Sequence, residues 1–133
     1  MRVFADTSAF VALATSGDRH HKKAAGYLRG LPPGASLVTT EYVFDETITR
    51  LRNVAGHAAA LAVGHAMRTS TLARVHALEA ADVDRAWEIF AKYEDKDLSF
   101  TDCTSFAFCE RTNVKTCFTF DDDLEQAGFV VVP

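Results

Sequence analysis

The chain opens on a short, mostly apolar run, Met1–Ala5, that stops at Asp6, the pattern of a buried strand. Ser8–Ala14 and Lys22–Leu31 read as helices, with Gly17 between them and Pro32, Pro33 and Gly34 closing the unit. Ser36–Thr39 is a second strand. Thr39 or Thr40 then caps a helix through about Asn53, in which Phe44, Ile48 and Leu51 recur at helical spacing. The Ala-rich stretch from Gly56 to Thr69 is helical, and Leu72–Leu78 alternates in the manner of a third strand. Ala80–Tyr93 carries a helical stripe of Val83, Ala86, Trp87 and Phe90, and Ser99 starts a further helix through about Thr112. Lys115–Phe120 is strand-like, Leu124–Ala127 a short helix and Phe129–Val132 a last strand. Strands alternating with helices predict an α/β fold, a mostly parallel sheet covered on both faces, built as one domain over residues 1–133.

In such sheets the working site lies beyond the carboxyl ends of the strands. Asp6 follows the first strand and Asp121 follows the Lys115–Phe120 strand, so both reach that edge. Glu46 lies in the first two turns of the helix leaving the second strand. Asp102 begins a helix that precedes a strand and runs antiparallel to it, which returns its N-terminus to the same edge. Each acid also admits a purely local role. Asp6 suits an N-cap, Glu46 an i,i+4 pair with Arg50, Asp102 the third position of a capping box from Ser99, and Asp121–Asp123 a turn capping the next helix. Independent caps need not share an edge, however. Four carboxylates at close quarters repel unless a cation joins them, and Mg²⁺ or Mn²⁺, which favour oxygen ligands, suit that role. Such a centre suits phosphodiester hydrolysis, because a bound ion activates water and neutralises charge developing on phosphorus-bound oxygens.

Composition narrows the classes. Apolar residues are 48% and charged residues 24% of the 133, as in globular proteins, and no apolar run approaches a membrane span. With no stretch long enough for a signal peptide and three cysteines lacking CxxC spacing, the expected compartment is the cytoplasm and the expected thiols are buried and inert. The net charge of −4 argues against nucleic acid only until the acids are located, since many are grouped and basic residues cluster at Arg19–Lys23 and at Arg50 with Arg52. Arg50, one turn from Glu46, is the first candidate for a phosphate contact; Phe10, Tyr42 and Phe44 are aromatic but fall where core is expected. His57, His65 and His76 show no ligand spacing. Three other functions compete. A receiver-like Mg²⁺-binding signalling module needs an acceptor Asp ending a mid-chain strand, where Thr39-Thr40 stands instead. An aspartyl-phosphate phosphatase needs DxD, where Asp6-Thr7-Ser8 stands, and a catalytically silent interaction module remains open. No Gly-rich phosphate loop is present.

Four segments, FADTSAFVAL, LVTTEYVFDETITRL, DLSFTDCTSFAFCER and TCFTFDDDLEQAGF, occur in this order over nearly the whole chain. Together they resemble the PIN-domain family, and in particular its VapC-like toxin branch. The resemblance implies an α/β/α sandwich and a Mg²⁺- or Mn²⁺-dependent endoribonuclease that acts on RNA. It also implies frequent homodimers and often a small antitoxin protein as partner. It places the family's acids on Asp6, Glu46, Asp102 and Asp121, with Asp123 as a further ligand or supporting acid. The family's small hydroxyls fall on Thr7 and Ser8, which with Arg50 are candidate substrate contacts.

Overall fold

The computed structural model describes residues 1–133. Five strands, β1 (Arg2–Ala5), β2 (Ser36–Thr40), β3 (Arg74–His76), β4 (Thr116–Phe118) and β5 (Val130–Val132), form one sheet in the order β3-β2-β1-β4-β5. Every neighbouring pair is parallel, with Phe4 opposite Val38 on one side and Cys117 on the other. Seven helices link them: α1 (Thr7–Ala14), α2 (His21–Arg29), α3 (Glu41–Ala55), α4 (His57–Arg68), α5 (Ala80–Lys92), α6 (Phe100–Thr112) and α7 (Asp122–Gln126).

The chain runs outward from β1 through β2 to β3, then crosses back to β4 and out to β5. With crossovers of one hand, α1–α4 and α5–α7 lie on opposite faces, giving the three-layer sandwich. The strand order reverses between β1 and β4, which is where a parallel sheet opens a crevice at its carboxyl edge. There the Asp6 N–H donates to the Phe118 carbonyl at 3.3 Å.

Central position explains the burial of β1: Val3, Phe4 and Ala5 are fully enclosed, and Phe10, Phe108 and Phe118 fill the two layers beside them. Burial of this kind contributes roughly 2 kcal/mol per large apolar side chain. The three cysteines are free and buried, as expected. Two strands are shorter than the sequence pattern predicts by more than one residue. β3 keeps three residues of the alternating Leu72–Leu78 run because it is an edge strand with one partner, and β4 ends at Phe118, where Thr119 turns toward the site. Gly56, at φ +94°, separates α3 from α4, a backbone conformation that side chains with a Cβ rarely adopt.

Candidate active site

Asp6 leaves β1 as the N-cap of α1, its Oδ1 accepting from the Ala9 N–H at 3.2 Å. Two hydroxyls hold the rest of the carboxylate: Ser8 Oγ donates to Oδ1 at 2.7 Å and Thr119 Oγ1 donates to Oδ2 at 2.7 Å. The same hydroxyls grip the chain after β4. Ser8 Oγ accepts from the Phe120 N–H at 2.9 Å, and Thr119 Oγ1 accepts from the Asp121 N–H at 3.0 Å. One small network thus fixes the first acid and the backbone that carries the last.

Asp102 occupies the third position of α6, where its Oδ2 accepts from the Ser99 N–H at 3.1 Å while the Ser99 hydroxyl accepts from its own N–H at 3.0 Å. Asp121 is the N-cap of α7, with Oδ1 accepting from the Asp123 N–H at 2.9 Å. Glu46 projects from the second turn of α3, a helix packed against α6. Asp6, Glu46, Asp102 and Asp121 line one cavity of about 30 Å³, with Arg50 as its only cation and Thr7, Ser8, Thr101 and Ser105 as its hydroxyls. The local and the functional readings of these acids are therefore compatible, because three of the four are helix caps and all four share one pocket.

The electrostatics follow from that gathering. Asp6 is 7% exposed, and burial raises its carboxyl to about 6 against the pull of its hydroxyl donors, with Asp102 pushing the same way. Burial likewise raises Asp102 to about 6, helped by the charges of Asp121 and Glu46. Carboxylates that resist ionisation for want of a countercharge are a fitting donor set for a hard divalent cation. No three of them stand at the spacing of a ready-made ligand cage.

The remaining candidates fall as follows. Arg50 lines the cavity but forms no ion pair with Glu46. Thr7 is 4% exposed and its hydroxyl accepts from that of Thr47 at 3.4 Å, and Ser8 is committed to Asp6 and Phe120, so both candidate contacts are occupied by the protein itself. Asp123 does not line the cavity; its burial and the charge of Asp121 raise its carboxyl. Phe10 is wholly core. Sequence reasoning did not single out Thr119, Thr101 or Ser105 as site residues. A small hydroxyl two residues from a strand-end acid, as at Ser8 after Asp6 and Thr119 before Asp121, is the signal that points to the first of them.

Comparison with known proteins bears on this arrangement. The family model for the PIN domain matches residues 3–130. The 23S rRNA-specific endonuclease VapC20 of Mycobacterium tuberculosis is 37% identical over 130 residues, 98% of this chain and 97% of that one. The crystal structure of that organism's VapC20, described as a sarcin-ricin loop cleaving toxin, superposes with a TM-score of 0.91 at 36% identity, covering 98% and 99% of the two chains. VapBC2 from Rickettsia felis, solved bound to a promoter DNA fragment, shares the fold alone, at 11% identity and a TM-score of 0.75 over 98% of this chain and 97% of that one. The chain is a member of the PIN-domain family.

Proposed function

We propose that this protein is a metal-dependent endoribonuclease that hydrolyses RNA phosphodiester bonds, and that it is the toxin of a toxin–antitoxin pair. The observation that carries the reading is the convergence of Asp6, Glu46, Asp102 and Asp121, from four separate elements, on one cavity at the switch point of the sheet. The likeness to VapC20 supports ribosomal RNA as the substrate class and an antitoxin protein as the partner. We infer that the protein works in the cytoplasm and as a homodimer; no helix is long and apolar enough to cross a membrane.

Asp6, Asp102, Asp121 and Glu46 would hold Mg²⁺ or Mn²⁺, directly or through its waters, and the ion would supply an activated water and charge neutralisation at the phosphate. The chain's own residues supply the rest. Ser8 and Thr119 fix both oxygens of Asp6, so that its carboxylate meets a cation without reorganising. Arg50, exposed at the rim beside Glu46, offers the phosphate a planar guanidinium suited to bidentate contact. No histidine lines the cavity, so proton transfer falls to carboxylates and water. Asp123 supports Asp121 from outside the pocket, and Thr7 braces α1 against α3.

The decisive experiment compares purified wild type and Asp6→Asn on ribosomal RNA with Mg²⁺, Mn²⁺ or a chelator, with RNA-end sequencing as the readout. Wild type should cut at defined positions only with the cation, and Asp6→Asn should not cut. Cutting that survives Asp6→Asn or the chelator at full rate would sink the reading.

A further inference from the structure

The acid cavity is large enough for one or two water-sized bodies and far too small for a nucleobase. A second cavity, of about 340 Å³, adjoins it and shares Asp121. Its walls include His20, Phe120, Asp122, Glu125 and Val131. Neither His20 nor Phe120 has a part in the reading above, yet both are held in place with care. The His20 ring lies flat on Phe120, with centroids 4.4 Å apart and planes inclined by 8°. The Asp18 carboxylate accepts from the His20 N–H at 2.8 Å, and His21 Nδ1 bonds the Ala12 carbonyl at 2.8 Å, so the turn that carries His20 is pinned to α1. On the other side, Phe120 is tied through its N–H to Ser8, and so to the network around Asp6. Arg19 Nε donates to His20 Nε2 at 3.1 Å and brings an exposed guanidinium to the rim.

We propose that this second cavity is a nucleotide subsite of the nuclease, which takes the unpaired base beside the scissile phosphate, stacks it against the His20–Phe120 pair and favours guanine. The proposal rests on the endonuclease reading. A strand laid with one phosphate over the acid cavity must place the neighbouring nucleotide nearby, and the adjoining cavity has the volume and the aromatic wall for it. Proteins that bind unpaired RNA recognise its bases by this kind of stacking. Preference among bases follows from the edge the cavity offers. The carboxylate oxygens of Asp122 and Glu125 in its wall offer hydrogen-bond acceptors. Guanine presents two adjacent donors, N1–H and the 2-amino group, which match the two oxygens of a single carboxylate. Adenine and cytosine present one amino group there, and uracil one imide N–H. Arg19 offsets the acids and contacts the backbone phosphate of the same nucleotide.

Two measurements test it. In steady-state cleavage of a single-stranded oligoribonucleotide, His20→Ala should raise KM about tenfold, the loss of one stacked base, while kcat stays within about twofold. His20→Phe, which keeps a flat ring on Phe120, should return KM toward wild type. In the second, Asp6→Asn protein under chelator is titrated with labelled oligonucleotides carrying guanosine or inosine beside the cleavage position. Inosine lacks the 2-amino group and should bind several-fold more weakly, and the difference should vanish in Asp6→Asn with Asp122→Asn and Glu125→Gln added. A His20→Ala protein with unchanged KM, or inosine bound as well as guanosine, overturns the subsite. Cleavage by Asp6→Asn overturns the acid site instead, and leaves the binding titration under chelator to judge the subsite separately.

Discussion

Helices α5 and α6 pack against each other and begin with the same device, yet their first turns meet opposite fates. In each, an aspartate at the third helical position reaches back to the capping N–H: Asp82 to Glu79 at 3.0 Å and Asp102 to Ser99 at 3.1 Å. Asp82, only 2% exposed, also receives Arg111 Nε at 2.7 Å and its second guanidinium nitrogen at 2.9 Å. Those bonds hold its carboxyl below the usual range. Asp102 receives no cation, and burial, helped by the charges of Asp121 and Glu46, raises it to about 6. The capping motif therefore says nothing about function. What distinguishes the two carboxylates is the partner that tertiary structure supplies: a guanidinium that completes a structural clamp, or further carboxylates that leave a vacant charge balance for a divalent ion.

The contrast breaks most sharply under exchange of charge for shape. Asp102→Asn keeps a side chain that can accept from the Ser99 N–H but removes one anion from the cavity. Cleavage should fall by about a thousandfold or more, since metal-assisted charge stabilisation supplies several kcal/mol and each 1.36 kcal/mol is tenfold. The unfolding midpoint under chelator should hold or rise. Asp82→Asn should show the reverse, with cleavage within a few-fold of wild type and a lowered midpoint. If the two variants lose cleavage equally, the division of labour between the helices is wrong. Arg111→Met sharpens the same point from the other side. It strands Asp82 without its cation, and breaking a buried pair in this way costs about 3–5 kcal/mol. The Arg111 side chain is 36% exposed, which places this case toward about 2 kcal/mol, read from denaturant midpoints. Adding Asp82→Asn to Arg111→Met should recover part of that loss, because the uncompensated charge is gone.

How far such pairs could be read from the sequence follows their range. The order of strands and helices was legible because periodicity is local, and the rule about carboxyl edges then placed Asp6, Glu46, Asp102 and Asp121 in one region without any contact being known. Strand lengths were less legible. Leu72–Leu78 alternates over seven residues, but only Arg74–His76 find a partner strand, and pairing is not written in the alternation. Least legible were the bonds that give each acid its character. Thr119 reaches Asp6 across 113 positions and Arg111 reaches Asp82 across 29, and nothing in either neighbourhood announces the other. The choice between Asp121 and Asp123 was open for the same reason. In the fold Asp121 lines the cavity, its Oδ1 accepting from the Asp123 N–H, and Asp123 does not line it.

The smallest expected effect is a slope with pH, and it runs opposite to that of a paired acid. A carboxyl such as Asp82, lowered in the fold, adds stability above its unfolded value and loses it as pH falls. Asp6 is raised from 3.8 to about 6, so between those values the folded protein holds a proton that the unfolded chain has released. Its contribution is therefore complete below about pH 4 and disappears as pH rises through 6. Without divalent ions, the wild type should lose on the order of 1 kcal/mol from Asp6 between pH 5 and 7, with Asp102 adding in the same direction. Asp6→Asn under chelator should remove the Asp6 share of that slope, leave the Asp102 share, and leave the acid limb, where Asp82 and other lowered carboxylates titrate, unchanged. Saturating Mn²⁺ at pH 7 should restore to the wild type what deprotonation removed, and should do little for Asp6→Asn. Calorimetric midpoints at pH 5, 6 and 7, with Mn²⁺ or chelator, separate these outcomes. A wild-type slope that Asp6→Asn leaves intact would assign the pH response to other groups and deprive the acid cavity of the electrostatic tension that invites an ion.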